Sequence, residues 1–447
     1  MANHTRATEA KNVEIIVLVI SVAKWAALAG VTGALGGAAV AAFLMLLEWG
    51  VEHAGHIGPW WFMLPVAGLI GAALIHYVSP ESYGHGTEAV IRAVNEQDGE
   101  IPIRVAPIKA LATIISISFG ASAGKEGPAA QIAGAVISQA GRALRLAAED
   151  RTRLTMCALA AAFGVAMGAP MAGALFAIEA LRMGDPFYVG ILPAVIASSV
   201  SCIVARRLGW WHPLAAALPL PGISAVTIAQ VIAGAVCLGL VAWLYIEAEE
   251  GAARMFHRLR VPPPVRTLIG GIVLVLLTLG FSSEYLGLGE HLIDQALAGA
   301  SIPLWAFALK ILFVAVTLGS GFSGGAMTPL LVIGATAGNA FGRILGLAPG
   351  FGAAIGIAGL LGGAANAPLT AAALGLEAFG PAFGIYGLLA AVVSYTVSGH
   401  RSINATQHLG RPKSTAFTVD VGHVCEEHGR VHIDPRIARQ FPWLRSK

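Results

Sequence analysis

Gly124-Lys125-Glu126-Gly127-Pro128 sets two opposite charges in a Gly-rich turn between long apolar runs, Ala110 to Ala123 before it and Ala129 to Ala140 after it. Inside a bilayer an ionisable side chain is costly, so its presence marks a functional position by default. The glycines free the backbone to turn, and Pro128 suits the first turn of the helix that follows. A helix start offers unpaired N–H groups and a partial positive charge. It holds either an anion or the carboxylate of Glu126 itself. The plain alternative is a lipid-side loop with a surface ion pair between Lys125 and Glu126, an interaction of little energetic weight.

The rest of the chain supplies the bilayer. Of its 447 residues 56% are hydrophobic and 12% charged, with 55 glycines and a mean hydropathy of +0.73. A soluble domain carries roughly 25% charged residues, so the fold class is an all-α polytopic membrane protein. The net charge of +3 is too small and too dispersed for a nucleic-acid partner. Cys157, Cys202, Cys237 and Cys425 are scattered and read as free thiols. His423, Cys425, His428 and His432 match no standard spacing, so no metal is expected. No nucleophile–base grouping is present, and the Lys125 turn lacks the Gly-Lys-Ser/Thr ending of a phosphate loop. An enzyme is not expected, nor a cofactor beyond a bound anion.

Apolar segments run from Val13 to Leu47, Pro59 to Val78, Ile108 to Gly120, Ala129 to Leu146, Leu154 to Leu181 and Gly190 to Val204. After a polar link they resume from Val226 to Ile246, Thr267 to Leu279, Leu304 to Leu318, Pro329 to Leu347, Phe351 to Leu376 and Phe383 to Val397. Lengths well above and below the ~20 residues of a straight crossing predict tilted and broken helices. The expected organisation is a cytoplasmic N-terminal tail over 1–14, a first membrane repeat over 15–205, a linker over 206–224, a second repeat over 225–405 and a cytoplasmic C-terminal tail over 406–447. Arg401, Arg411 and Lys413 place that tail inside under the positive-inside rule. Glu247, Glu249, Glu250 and Arg254 read as a solvated helix end.

An internal repeat organises the whole. Gly84-His85-Gly86 recurs as Gly287-Leu288-Gly289 (287 − 84 = 203), Lys109 as Lys310 (310 − 109 = 201), and the turn ending at Pro128 as Gly324 to Pro329 (329 − 128 = 201). Ala169-Pro170-Met171 with Glu179 recurs as Ala367-Pro368-Leu369 with Glu377 (368 − 170 = 198). Four matches in one order at a nearly constant offset mark two homologous halves, the pattern of a repeat transporter with its site at the repeat interface.

These residues resemble the CLC family of chloride channels and proton-coupled anion antiporters, over about residues 15–410. Gly124 to Pro128 is similar to that family's Gly-Arg-Glu-Gly-Pro signature, with Lys for Arg. Gly319-Ser320-Gly321-Phe322-Ser323-Gly324-Gly325, running on to Pro329, is similar to its second anion loop. Gly84 to Glu88 sits where the family has Gly-Ser-Gly-Ile-Pro, Ala169 to Glu179 matches a Pro-x-Ala-Gly-x-x-Phe-x-x-Glu segment, and Ser402-Ile403-Asn404 stands where many bacterial members carry Ser-Ile-Tyr. The resemblance implies a homodimer in the bacterial inner membrane, each subunit folded as two inverted repeats around one anion pathway. It also implies that Glu126 is the gating glutamate. The anion would be bound by His85, Gly127, Ala326, Met327 and Asn404, with Lys125 and Lys109 as charges near the pathway.

The departures carry information. His85 replaces an inner serine, Met327 a usual phenylalanine and Asn404 an inner tyrosine. Ala180 stands where proton-coupled members carry an internal glutamate, so coupling by the usual route is not expected; either a channel or a differently coupled antiporter fits. Chloride is the default anion by resemblance. The donor–acceptor chemistry of His85 and Asn404 makes bicarbonate the first alternative, with fluoride or nitrate next. The fluoride-exporting branch also departs at the inner serine, though no specific signature places this chain there.

Overall fold

The structure is a computed structural model and describes residues 2–437 except 215, 426–429 and 435, with side chains from residue 14 onward. Sixteen α-helices fill the described residues. The first half comprises α1 (Ala2–Gly55), α2 (Leu64–Val78), α3 (Thr87–Glu96), α4 (Val105–Ser118), α5 (Glu126–Ala143), α6 (Ala148–Met167), α7 (Pro170–Glu179) and α8 (Ile191–Arg207). The second comprises α9 (Ala225–His257), α10 (Pro263–Gly280), α11 (Glu290–Leu297), α12 (Ala306–Ser320), α13 (Met327–Leu345), α14 (Pro349–Ala364), α15 (Pro368–Phe379) and α16 (Gly384–Val397). Eight helices stand on each side of the linker, and each has its counterpart. α1 begins at Ala2 and runs through the stretch expected as a polar tail, because Ala, Glu and Lys there favour helix as strongly as the apolar residues that follow.

Two apolar runs that read as single segments are each two helices. The break between α6 and α7 is a left-handed Gly168 (φ 63°), and α7 then starts on Pro170. The break between α14 and α15 repeats it one offset later (366 − 168 = 198), with Asn366 at φ 56° before Pro368. A residue at positive φ ends a helix, and a proline at the first position opens the next without losing a bond.

The halves are inverted, and α7 and α15 demonstrate it. Glu179, at the end of α7, accepts the backbone N–H groups of Leu369 (3.0 Å) and Thr370 (2.7 Å) at the start of α15. Glu377, near the end of α15, accepts those of Met171 (2.8 Å) and Ala172 (2.9 Å) at the start of α7. The end of each helix meets the start of its own counterpart, so equivalent helices run antiparallel. Each carboxylate satisfies orphan donors and sits against the positive end of a helix dipole.

Between α13 and α14 the backbones touch through glycine. A Cβ added to Gly334 would lie 2.5 Å from the Gly356 carbonyl oxygen, the close approach that small residues permit in membranes. Among the described residues, five helical stretches are long and apolar enough to cross a membrane, and α1 leaves Ile15 to Ile20 exposed, a surface suited to lipid. The C-terminal stretch does not stand apart. β2 (His408–Leu409) pairs in parallel with β1 (Arg182–Met183), fastening it to the end of α7, and β3 (Phe417–Val419) pairs antiparallel with β4 (Val431–Ile433).

Candidate functional site

The two Gly-rich turns meet. Gly124 donates to the Gly325 carbonyl (2.6 Å) and Gly325 to the Gly124 carbonyl (2.8 Å), a two-residue bridge between positions related by the repeat (325 − 124 = 201). α5 and α13 start from this bridge, so two positive helix ends face one small volume. The close fit requires glycine. A Cβ on Gly127 would overlap the His85 carbonyl, and one on Gly86 (φ 92°) would overlap the Gly127 carbonyl.

Glu126 opens α5 and is 2% exposed. Its Oε2 accepts the backbone N–H of Thr328 (2.9 Å), and the Thr328 hydroxyl lies 2.8 and 2.6 Å from its two oxygens. Lys125 is spoken for elsewhere: its Nζ lies 2.6 Å from Glu290 of α11 and 5.6 Å from the Trp210 ring centre. The ion pair between Lys125 and Glu126 is therefore not what holds Glu126. Hydrogen bonds to a charged group contribute about 1.5–3 kcal/mol each, against an effective desolvation penalty of several kcal/mol for a buried ion. The carboxylate is held by neutral donors, at near balance against the cost of its burial.

Two cavities flank this seal and share no lining residue. One, of about 380 Å³, reaches Lys125, Trp210, Glu290 and Thr328. The other, of about 530 Å³, reaches His85, Glu88, Glu249 and Ser323. Glu126 lines neither.

His85 sits in the second cavity between two glycines of positive φ. Its Nε2 is 2.9 Å from Oε1 of Glu249 on α9, while Nδ1 is 3.9 Å from Glu88 and makes no hydrogen bond. The reading of Glu249 as part of a solvated helix end is overturned. The residue is 7% exposed because α9 packs against the loop that carries His85. One turn earlier on α9, the buried Tyr245 donates to the Ala326 carbonyl (3.1 Å). Neither contact was foreseen. Tyr245 and Glu249 lie four residues apart, hence on one helix face, and that spacing was the available signal.

The remaining candidates fall into place unevenly. The Lys109 ammonium adjoins the loop that carries His85. It is fully buried and donates to the carbonyls of Ser82 (3.1 Å) and Gly84 (2.5 Å), bracing the His85 loop from behind. Lys310 does the same for Tyr285 (3.1 Å) and Gly287 (3.0 Å) in the other half. Ala326 caps α13 and Met327 opens it, both buried at the crossing. Asn404 is buried in the loop after α16 and caps no helix; Glu88 fixes that loop by accepting the Ala405 N–H (2.9 Å) and, through its carbonyl, the Thr406 hydroxyl (2.9 Å). The Asn404 side-chain amide nitrogen has no partner among the described residues, and it does not line the His85 cavity. Ala180 ends α7, fully buried, with no proton to give. Of the tail group, His428 lies outside the described residues.

A model of the voltage-gated chloride channel family matches residues 66–399. The chain belongs to that family, the CLC family. It is 34% identical to the chloride/fluoride channel protein of Pseudomonas syringae pv. tomato, over 88% of each chain. Among solved structures it resembles a CLC-type fluoride/proton antiporter (28% identity, TM-score 0.82, 87% of this chain and 98% of that one). It also shares the fold of a slow cyanobacterial Cl⁻/H⁺ antiporter (20% identity, TM-score 0.70, 84% of this chain and 93% of that one). The CLC fold of inverted repeats and the membership in a family of anion channels and antiporters are thereby established.

Proposed function

We propose that this protein moves fluoride across the membrane through the crossing of α5 and α13, with Glu126 as the movable gate. The observation that carries the proposal is the capture of the Glu126 carboxylate by Thr328, a residue of the opposite half. A negatively charged oxygen already occupies a site built of N–H and O–H donors at two helix starts. A small anion fits the same donors, and backbone groups hold it without a counter-charge that would trap it.

Gly127, Ala326 and Met327 supply amides at this crossing, and His85 Nδ1 and Asn404 Nδ2 have no hydrogen-bond partner among the described residues; Nδ2 donates, and Nδ1 donates when it carries a ring proton. Compact N–H donors suit a small, strongly hydrated anion. Two of the three relatives named above carry fluoride in their names, a chloride/fluoride channel protein and a fluoride/proton antiporter, and these support the fluoride reading. The His85 cavity faces the cytoplasm in this account. Arg92 and Arg254 line it, and Arg258 and Arg260 follow the same end of α9. The inner membrane and a homodimer, implied by the family resemblance, belong to the same proposal.

Reconstituted vesicles loaded in turn with fluoride, chloride, bicarbonate and nitrate test it. Fluoride efflux is expected to be fastest. Chloride efflux far above fluoride efflux would sink the fluoride assignment, and no efflux of any anion would sink the transport assignment.

A further inference from the structure

The family's usual carrier of protons from the cytoplasmic side is missing, since position 180 is a buried alanine. A different pair of titratable groups lies at the head of the 530 Å³ cavity. His85 Nε2 and Glu249 Oε1 are 2.9 Å apart. Both have a second polar atom buried without a hydrogen bond, Nδ1 of His85 and Oε2 of Glu249. Both residues line the cavity, so these two atoms are available to water or an ion that enters it. The His85 carbonyl packs on Gly127, the neighbour of Glu126, so the loop that carries the imidazole adjoins the start of α5.

We propose that Glu249 and His85 form a proton relay that loads Glu126 from the cytoplasmic vestibule and couples anion movement to protons. The proposal rests on the reading of Glu126 as the gate. A proton from the vestibule binds Glu249, and rotation of the neutral carboxyl brings it to face Nε2 of a His85 that carries its own proton on Nδ1. The carboxylic acid gives that proton to Nε2, and the imidazolium releases its other proton from Nδ1. Glu126 takes that proton once its carboxylate leaves Thr328. One proton enters and one leaves; the imidazole is left with its proton on Nε2, and the pair resets when Nε2–H gives that proton to vestibule water and Nδ1 takes one up. The two ring nitrogens of histidine suit this handover, because each is a donor in one form and an acceptor in the other.

The surroundings of the pair are mixed in charge. Glu88 approaches Nδ1 from α3, where Arg92 also lines the cavity, and Lys109 of α4 lies behind the loop, bound to carbonyls. On α9, Glu250, Arg254 and His257 line the mouth, with Arg254 3.9 Å from Glu247 and 4.0 Å from Glu250. Glu249 is the buried carboxylate in contact with the imidazole.

The test is simultaneous recording of fluoride and proton movement in vesicles containing the wild-type protein, Glu249→Gln, Glu249→Asp or His85→Asn. Glu249→Gln keeps the size and one hydrogen-bonding oxygen but carries no proton. Fluoride-driven proton movement is expected to fall by about tenfold or more, in line with the loss of a positioned acid–base group, with fluoride flux falling far less. Glu249→Asp is expected to keep coupling in part, and His85→Asn to lose it independently of Glu249. Unchanged proton-to-fluoride ratios in Glu249→Gln or in His85→Asn would overturn the relay. Wild-type fluoride flux without proton movement would also overturn it while leaving the fluoride reading intact, whereas absent fluoride flux would strike at that reading itself.

Discussion

Thr328 of the second half holds the Glu126 carboxylate of the first, through a backbone N–H at 2.9 Å and a hydroxyl at 2.6 Å. The amide cannot be removed by substitution, but the hydroxyl can. Thr328→Val keeps the shape and deletes one charge-assisted bond of about 1.5–3 kcal/mol. The gate should then be displaced more readily, raising anion flux at neutral pH. Flux in Thr328→Val equal to wild type would show that the hydroxyl does not restrain the gate.

In the proposed function, Glu126 blocks the crossing as a carboxylate and releases it as an acid. Lowering the pH neutralises it, so wild-type flux is expected to rise as pH falls, by at most about tenfold per pH unit for one proton. Raising the pH restores the charge and the block.

Selectivity at the His85 loop is separable from the gate. Replacing His85 by the smaller hydroxyl of serine removes the ring nitrogens, and His85→Ser is expected to shift preference towards chloride. Permeability ratios from vesicles loaded with each anion measure it. An unchanged preference series would mean that the imidazole contributes no donor to the anion.

Lys109 and Lys310 are equivalent in the fold and unequal in what they brace. Each donates to two buried carbonyls, and methionine at either place leaves those acceptors unpaired at about 1–3 kcal/mol each. Thermal unfolding in detergent should fall for both variants. Only Lys109→Met should also alter anion preference, because Lys109 holds the loop carrying His85. Equal effects on selectivity would contradict that division.

Glu179 and Glu377 lock the halves together, and their weights differ. Glu179 is 4% exposed and also lies 2.6 Å from the Thr370 hydroxyl, whereas Glu377 is only half-buried. Glu179→Gln is expected to lower stability by about 1–3 kcal/mol and more than Glu377→Gln does. Melting temperatures in the reverse order would show that the caps are not the source of the effect.

The repeat was legible because charged and kinked residues are rare against an apolar background, so Lys109, Glu179 and the Gly-Pro turns stand out at a constant offset. That offset marks the Gly124 and Gly325 turns as equivalents, and the family resemblance implies the inversion; the contact between the two turns is seen only in the structure. What stayed hidden depends on packing between distant elements. Glu249 stands in a run with Glu247, Glu250 and Arg254, and nothing local separates the one that turns inward from those at the surface. Thr328 is an ordinary first-turn residue until α13 meets α5. The short helices α3 and α11 escaped the hydropathy pass because each mixes polar residues with a narrow buried face, as in Val90, Ile91 and Val94. The partners of Lys109, the carbonyls of Ser82 and Gly84, are set by how α4 packs on the adjoining loop and not by its own sequence.

The gate itself is tested most directly by anion flux as a function of pH in vesicles carrying wild-type protein and Glu126→Gln. The account predicts a wild-type flux that climbs as pH falls and a Glu126→Gln flux that stays high and flat. Superimposable pH profiles for the two proteins would contradict it.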